Sequence, residues 1–364
     1  MDDAQSAWAE FVRQAERNRL APLAYVHLKP LADAVPVPEA ALRALRNAYG
    51  RALQSAELHH TELQRLLGFF RAAAVPAIVL RGLGTGRRFY GDTALRPFTD
   101  LDLLVPRDAL RAARGRLERA GYALLDPRLP PRYFERYHLH VAYRHPESGI
   151  MVELHHAVDH RYTPFLIDYA AVFRDAGGDE VPAPSREHTF LLDAVHLVKH
   201  VIGLPYTKDG GDALKQVRDE GCLILLLDLA LQLPALRRSW PAVRETAARW
   251  NVERELAAVL RPLAALLGNA PDARSVAPSA AERALYRALP ALGAKLAGRH
   301  PAGMFRPARA LDLWRYAFPG RRWLRAAYRA PIVVSAPVHP LRVASTVLAN
   351  FAAYRRHLPR RNCR

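Results

Sequence analysis

The stretch that decides the fold spans residues 79–106 and reads VLRGLGTGRRFYGDTALRPFTDLDLLVP. It begins inside a short apolar run that proline opens and glycine closes. It ends in a second apolar run that two acids interrupt and proline stops. Short runs bounded by glycine or proline in this way are typical of strands. The stretch therefore predicts strands at 77–82 and 100–105, with a helix at 83–90 between them.

The segments on either side show helical and extended patterns in turn. Apolar residues recur at three- and four-residue spacing in three segments, which predicts amphipathic helices at 4–17, 38–74 and 107–120. Two extended segments joined by a turn-rich linker, HPESG, predict a hairpin at 138–143 and 150–155. After residue 185 the helical period dominates, and we expect helices at 187–202, 214–233, 240–250, 252–267 and 280–297.

We therefore expect an α+β fold, in which a small mixed β-sheet carries the core between N-terminal helices and a C-terminal helical domain. A chain of 364 residues is long enough for two or three structural units. We expect N-terminal helices at 1–75, a sheet-bearing core at 76–160, a helical domain covering the site at 161–270, and a basic helical region at 271–364.

Composition excludes several classes of protein. Apolar residues make up 50% of the chain and charged residues 24%, which excludes disorder over the whole length. Two cysteines, Cys222 and Cys363, are too few for a disulfide framework and fit a reducing compartment. The N-terminus lacks the basic start and apolar stretch of a secretory signal, so we expect a cytoplasmic protein. The most apolar window, 222–233, contains Asp228 and is too short to cross a bilayer, so it predicts a buried helix.

The formal net charge of +18 is concentrated towards the C-terminus. Residues 299–364 hold fourteen arginines and one acid, Asp312, and so contribute +13 of it. Such a surface attracts nucleic acid or anionic lipid. A composition rich in arginine, alanine and leucine also follows from genome base composition, so nucleic acid binding stays open but is not favoured. The apolar segment 330–354 is interrupted by three prolines, which favours packing over peripheral membrane contact.

Two acids in the second predicted strand indicate a metal site. Because strand side chains alternate between faces, Asp100 and Asp102 share one face while Leu101 and Leu103 point into the core. Paired carboxylate oxygens suit Mg²⁺, or Mn²⁺ in its place. A third acid, Glu153, lies in the second strand of the predicted hairpin and fits the same scheme. The alternative is that the acid pair marks a solvated strand edge.

The order of these elements resembles the nucleotidyltransferase superfamily that includes DNA polymerase beta. The chain resembles in particular a bacterial family of uncharacterised nucleotidyltransferases. In that family leucine-lysine-glycine is followed by arginine-proline, D-x-D-leucine-leucine-valine and glutamate-leucine-histidine. The matching segments here are Leu80-Arg81-Gly82, Arg96-Pro97, the strand at 100–105 and Glu153-Leu154-His155. The resemblance covers residues 55–270 and takes in HLVKH at 196–200 and the LLLDLALQL segment around Asp228.

The resemblance implies a nucleotidyltransferase core and a two-metal, in-line displacement at the α-phosphate of a nucleoside triphosphate, with pyrophosphate leaving. Asp100 and Asp102 would bridge the ions. Glu153 would complete the shell of the metal that activates the acceptor. Glu153 would also receive the acceptor's proton, directly or through water.

Backbone donors and basic side chains would bind the triphosphate in this scheme. The chain departs from the superfamily in having Gly82-Leu83 where glycine is usually followed by glycine or serine, and from the family in having Arg81 for lysine. Phosphate binding would then depend on backbone N–H groups around Gly82 and Leu83 and on the guanidinium groups of Arg81 and Arg96. For Arg96, an ion pair with the two aspartates is the open alternative.

Histidines of the predicted hairpin flank the carboxylates. His155 shares the strand face of Glu153 and is placed to approach the site, whereas His156 faces away. His138 and His140 share one face of the other hairpin strand, where a pocket wall and a polar hairpin surface both fit.

Two other pairs favour structural interpretations. His196 and His200 have helical i, i+4 spacing but lack the glutamate of a zinc-protease motif, so core or pocket positions are favoured over zinc binding. Arg87 and Arg88 fit a solvated helix face better than the site.

The leading hypothesis is an enzyme that transfers a nucleotidyl group to a small-molecule, peptide or protein acceptor. The helices at 187–267 would shape the acceptor pocket, with His196, His200 and Asp228 lining it. The competing hypothesis is a non-catalytic module on the same fold that binds nucleotide or nucleic acid. The presence of all three carboxylates favours the enzyme.

Overall fold

The computed structural model describes residues 3–267, with gaps at 33, 126, 128–133, 136–137, 160–164, 179 and 202–209. The helix predicted at 280–297, the basic region at 271–364 and its apolar segment at 330–354 lie outside the described residues. The described part contains the N-terminal helices, the sheet and the helices that follow the sheet.

Five strands form one sheet in the described part of the chain: β1 (Ile78–Val79), β2 (Asp100–Leu104), β3 (Ala123–Leu124), β4 (His140–Arg144) and β5 (Met151–His155). Their order is β1-β2-β5-β4-β3. β2 and β5 run parallel, and the other neighbouring pairs are antiparallel. The sheet is therefore mixed, which confirms the α+β prediction, and its β4–β5 hairpin is the one predicted around HPESG. The sequence pattern did not predict β3.

Helices precede, interrupt and follow the sheet. They are α1 (Asp3–Arg17), α2 (Ala21–Leu28), α3 (Glu39–Arg71), α4 (Leu83–Thr85), α5 (Leu110–Arg119), α6 (Tyr169–Arg174), α7 (Arg186–His200), α8 (Gly210–Asp219), α9 (Leu223–Leu236), α10 (Trp240–Trp250) and α11 (Glu253–Leu267). The helix predicted at 83–90 is α4 followed by a π-type turn at Gly86–Tyr90. The single helix predicted at 214–233 is wrong: α8 and α9 are separate, because Gly221 takes a positive φ of 73° between them.

The 33-residue α3 connects the N-terminal helices to the sheet. Its first half packs with α1 and α2 through Ala15, Ala21 and Leu45. Its second half contributes Leu63 and Phe70 to the cluster beneath the sheet. The helices predicted at 4–17 and 38–74 are thereby confirmed.

One face of the sheet is apolar and packs against α3 and α5. Leu101 and Leu103 on β2 and Val152 and Leu154 on β5 point to this face, and each is at most 1% exposed. Because neighbouring residues of a strand point to opposite faces, this packing leaves the acids of β2 and β5 on the other face.

The second face lies under the helices that follow the sheet. Ile78, Leu80 and Leu104 join an apolar cluster with side chains of α7, α8, α9, α10 and α11. The start of α7 is fixed by Ser185, whose hydroxyl accepts a hydrogen bond from the backbone N–H of His188. The helices therefore cover part of the face of the sheet that carries the acids.

α9 contains the apolar window that predicted a buried helix. Leu226 and Leu229 have no exposed surface, and Asp228 is 2% exposed, which confirms that prediction. Within the described ranges, no helix combines the length and apolar character needed to cross a bilayer.

The packing under the sheet predicts a large effect of truncating Leu103. Leu103→Ala should lower the free energy of unfolding by about 2–5 kcal/mol, since it opens a cavity in a filled core. Leu58 on α3 is 63% exposed, so Leu58→Ala should change that free energy by less than about 0.5 kcal/mol. Urea unfolding followed by circular dichroism measures both values, and equal effects would contradict the packing.

Candidate functional site

Three carboxylates lie on the helix-covered face of β2 and β5. Asp100 and Asp102 are two residues apart on β2, and Asp102 is directly opposite Glu153 on β5 in the parallel register. β4 places His140 opposite His155 at the end of β5. The structure therefore brings together the three acids that the sequence singled out, together with two histidines.

Asp102 is buried in a chain of charged groups. Arg81 donates from Nε to its Oδ2 at 2.8 Å and from Nη2 to its Oδ1 at 3.4 Å. His155 Nε2 lies 2.7 Å from the same Oδ1. Burial alone would raise the pKa of Asp102, but the charge of Arg81 and the hydrogen bond from His155 hold it well below its usual value. Asp102 is therefore a carboxylate, compensated on both sides.

Asp100 lies at the more open end of β2 and is half-buried. Burial, together with the negative charges of Asp102 and Glu153, raises the pKa of Asp100 to about 6. Within the described ranges Asp100 has no salt bridge. Negative charge thus accumulates at this end of the site.

Glu153 stands between two imidazole rings. Its Oε2 lies 3.2 Å from His155 Nε2 and 3.5 Å from His140 Nδ1. Burial would lower the pKa of His155, but hydrogen bonds to Asp102 and Glu153 raise it. Burial and then the charge of His155 lower the pKa of His140 to about 2, so its ring is neutral near pH 7. The prediction that His155 approaches the site is confirmed, and His140 is a second histidine there.

The turn after β1 is built on two glycines. Gly82 has a φ of +65°, which side chains rarely allow, and a Cβ there would lie 3.5 Å from Phe98 Cβ. A Cβ on Gly84 would lie 3.2 Å from Val79 Cγ1. The side chain of Leu83 points into the apolar core beneath the sheet. The turn therefore brings the backbone close to β1 and β2, next to Arg81.

Arg96 does not pair with the aspartates of β2. Its Nη2 donates to Asp228 Oδ2 at 2.7 Å, and the side chains of Arg96 and Asp228 are 4% and 3% exposed. Tyr90 donates from its hydroxyl to Asp228 Oδ1 at 2.7 Å. Asp228, which we expected to line an acceptor pocket, instead joins α9 to the loop before β2. The alternative left open for Arg96 was an ion pair with Asp100 and Asp102, whereas the observed partner is Asp228.

Asp193 on α7 is a buried acid that sequence reasoning missed. Gln232 donates to its Oδ2 at 2.8 Å. Burial, then the charge of Asp228, raises the pKa of Asp193 to about 7. A signal was present: Asp193 interrupts an apolar helix and, at helical spacing, shares a face with His196 and His200.

The end of α7 brings basic and ionisable groups towards the site. The rings of His196 and His200 meet edge to face with centroids 4.4 Å apart. Burial and the charge of Arg81 lower the pKa values of His196 and Lys199. The group of side chains in the described residues that could hold a metal does not include His196 or His200.

Other predicted residues lie outside the carboxylate cluster. Arg87 is exposed and pairs with Glu180, and Arg88 donates to the carbonyl oxygen of Pro184 at 3.0 Å. His156 faces away from Glu153 and lines a separate cavity of about 300 Å³ at the carboxyl ends of β2 and β5. The ring of His138 contacts that of His140 with centroids 5.7 Å apart.

The raised pKa of Asp193 predicts a pH-dependent stability. The folded state keeps a proton on Asp193 that the unfolded chain releases above about pH 4, so this stabilisation is lost as pH rises towards 7. Asp193→Asn mimics the protonated form. Its free energy of unfolding relative to the wild type should therefore rise by about 1 kcal/mol or more between pH 5 and pH 8. Urea titrations at both pH values measure this, and a difference that does not change with pH would contradict it.

Comparison with known proteins adds one match. A family model described as an uncharacterised nucleotidyltransferase matches residues 4–268 of the 364. A search of curated proteins and a search of solved structures found no match. The matched region contains the whole described sheet, its three carboxylates and the helices over them, and begins closer to the N-terminus than the sequence resemblance did. The family match supports nucleotidyl transfer as the general activity and a nucleotide as substrate. The chain belongs to this family of uncharacterised nucleotidyltransferases.

Proposed function

We propose that the protein is a metal-dependent enzyme that moves a nucleoside monophosphate from a nucleoside triphosphate to a small-molecule, peptide or protein acceptor, with release of pyrophosphate. The observation that supports this most directly is the placement of Asp100, Asp102 and Glu153 on one face of paired strands. Apolar side chains at these positions would stabilise the fold more than three acids do. A cluster of acids kept there is typical of a functional site.

The donor set fits a hard divalent cation. Asp100 is half-exposed, and its pKa is raised to about 6 partly because two negative charges face it. Asp100 and Asp102 would hold a cation that offsets this repulsion, since carboxylate oxygens are the ligands that Mg²⁺ and Mn²⁺ take in proteins. When bound, a divalent cation offsets the charge of the triphosphate and of the pyrophosphate that leaves.

Glu153 is the proposed proton acceptor. Its carboxylate is partly exposed and lies opposite Asp102, so an acceptor hydroxyl or amine can reach it from the open side of the site. The contact to His155 holds the carboxylate in place at 3.2 Å. A positioned carboxylate that takes a proton in the transition state contributes a factor of about 10²–10⁴ to the rate.

Arg81 is the proposed triphosphate-binding cation. Two of its N–H donors point at Asp102, while a guanidinium group carries five in all. The backbone N–H groups of the adjacent Gly82–Leu83 turn are the second proposed phosphate contact. Arg96 donates to Asp228 rather than to the β2 acids, so we assign it a positioning role, holding α9 against the loop that enters β2.

The catalytic role of Glu153 is tested by Glu153→Gln, which keeps the shape of the side chain and removes its charge. We expect near-normal triphosphate affinity and a loss of nucleotidyl transfer of at least about a hundredfold, roughly 2.7 kcal/mol of transition-state stabilisation. The assay follows label from α-labelled triphosphates into acceptors in a lysate of the source organism. Glu147→Gln, in the exposed hairpin turn, is the matched control.

Two outcomes would count against this function. Equal transfer by the wild type and Glu153→Gln would make Glu153 a structural strand residue. A wild type that binds nucleotide but transfers no label from any common triphosphate would favour the non-catalytic binding module.

The metal role of the β2 acids is best tested at Asp100. Asp102→Ala would leave the buried Arg81 without its partner, at a cost of about 3–5 kcal/mol, whereas Asp100 has no salt bridge among the described residues. Asp100→Asn should fold and lose Mg²⁺-dependent triphosphate binding in calorimetry, while Asp108→Asn, at an exposed position, should keep it. Unchanged Mg²⁺-dependent binding by Asp100→Asn would refute the site.

A further inference from the structure

We propose that His140, Glu153 and His155 form a nitrogen-containing metal site that takes a borderline divalent cation, of the Zn²⁺ or Co²⁺ kind, in preference to Mg²⁺. The proposal rests on the proposed function in one respect, since Glu153 belongs to both. The metal-dependent site would then have an oxygen-only position at Asp100 and Asp102 and a nitrogen-containing position beside it.

The spacing of the donor atoms carries the proposal. One ligand atom from each of the three side chains lies within 4.8 Å of the other two. The separations from Glu153 Oε2 are 3.2 Å to His155 Nε2 and 3.5 Å to His140 Nδ1. Ligands bound at 2.0–2.1 Å in a tetrahedral zinc site are about 3.3 Å apart. Two of the three separations already match this value.

The tautomer of His155 suits coordination. Its Nδ1 lies 3.2 Å from the carbonyl oxygen of Ala157, which is an acceptor only, so this nitrogen carries a proton. Nε2 then faces Asp102 and Glu153, and a metal ion there would take the place of its proton. A histidine whose other nitrogen donates to a backbone carbonyl is the usual arrangement of a metal ligand.

His140 supplies an available nitrogen. Its Nδ1 is buried, faces Glu153 and has no hydrogen-bond partner among the described residues. A buried polar atom without a partner is unfavourable, and a bound cation would relieve that cost. The antiparallel register fixes His140 opposite His155, so the pair of imidazoles is a property of the hairpin.

The chemistry of the ligands sets the preference between metals. Imidazole suits Zn²⁺, Co²⁺ and their neighbours, whereas Mg²⁺ strongly prefers oxygen and retains water. Two nitrogens and one carboxylate leave a fourth position for water or an acceptor group, as in catalytic zinc sites. The acceptor class that fits this position is a group able to bind a borderline metal, such as a hydroxyl, amine or thiol.

The test is a Co²⁺ titration of the metal-free full-length protein without nucleotide. We expect one strongly bound Co²⁺ with the visible absorption of a low-coordinate site, displaced by stoichiometric Zn²⁺ but not by excess Mg²⁺. His140→Ala should weaken Co²⁺ binding at least about tenfold, since loss even of a supporting contact costs 10–100-fold. His145→Ala, at the far end of the same hairpin, should bind Co²⁺ as the wild type does.

Pulsed electron paramagnetic resonance of Cu²⁺ bound to the wild type requires no substitution and counts the imidazoles. Two coupled imidazoles are expected. Absence of nitrogen coupling, equal Co²⁺ binding by His140→Ala, or displacement of Co²⁺ by equimolar Mg²⁺ would each overturn the proposal. Since no nucleotide is present, failure here leaves the transferase proposal standing. A protein that binds Co²⁺ as expected but transfers no nucleotide would instead reject the transferase function alone.

Discussion

The carboxylate of Asp102 is the constraint on which the site depends. It sits in the middle of the sheet, 7% exposed, where an uncompensated charge would be strongly destabilising. Arg81 from the end of β1 and His155 from the end of β5 compensate it from two sides. The ends of the two strands that flank β2 are therefore fixed by one acid, and Glu153 is held in the same register. The positions of Arg81 and His155 on this face therefore depend on their contacts with Asp102.

A second buried ion pair connects the helices to the sheet. Arg96, from the loop before β2, pairs with Asp228 on α9, and Tyr90 donates to the same carboxylate. Burial, and then the negative charge of Asp228, raise the pKa of Asp193 on α7 to about 7. Buried ion pairs contribute little net stability compared with apolar packing. Their role here is geometric, because they fix how the helices cover the sheet.

Much of this arrangement could be predicted from the sequence, and the reason is strand periodicity. Alternation placed Asp100 and Asp102 on one face of β2, and Glu153 and His155 on one face of β5, without any knowledge of the fold. Proline and glycine marked where the strands end. The partners of the arginines could not be predicted in this way. Arg96 and Asp228 are 132 residues apart, and no local pattern indicates which of several acids a buried arginine meets. β3 was missed because its two residues, Ala123 and Leu124, are not β-branched, unlike Ile78 and Val79 of the equally short β1.

The balance of charge favours the mouth of the site for the cation proposed at Asp100 and Asp102. In the interior, Arg81 and Arg96 are matched by Asp102 and Asp228. Asp193, a further buried acid close to these pairs, has a pKa raised to about 7 and so holds its proton through the acidic range. His155, with its raised pKa, offsets part of the charge of Glu153. The carboxylate left over is Asp100, at the half-exposed end of β2, and its pKa is raised to about 6. Because the excess negative charge among the described residues of the site lies where solvent reaches, the proposed divalent cation would enter there without breaking either ion pair that holds the fold together.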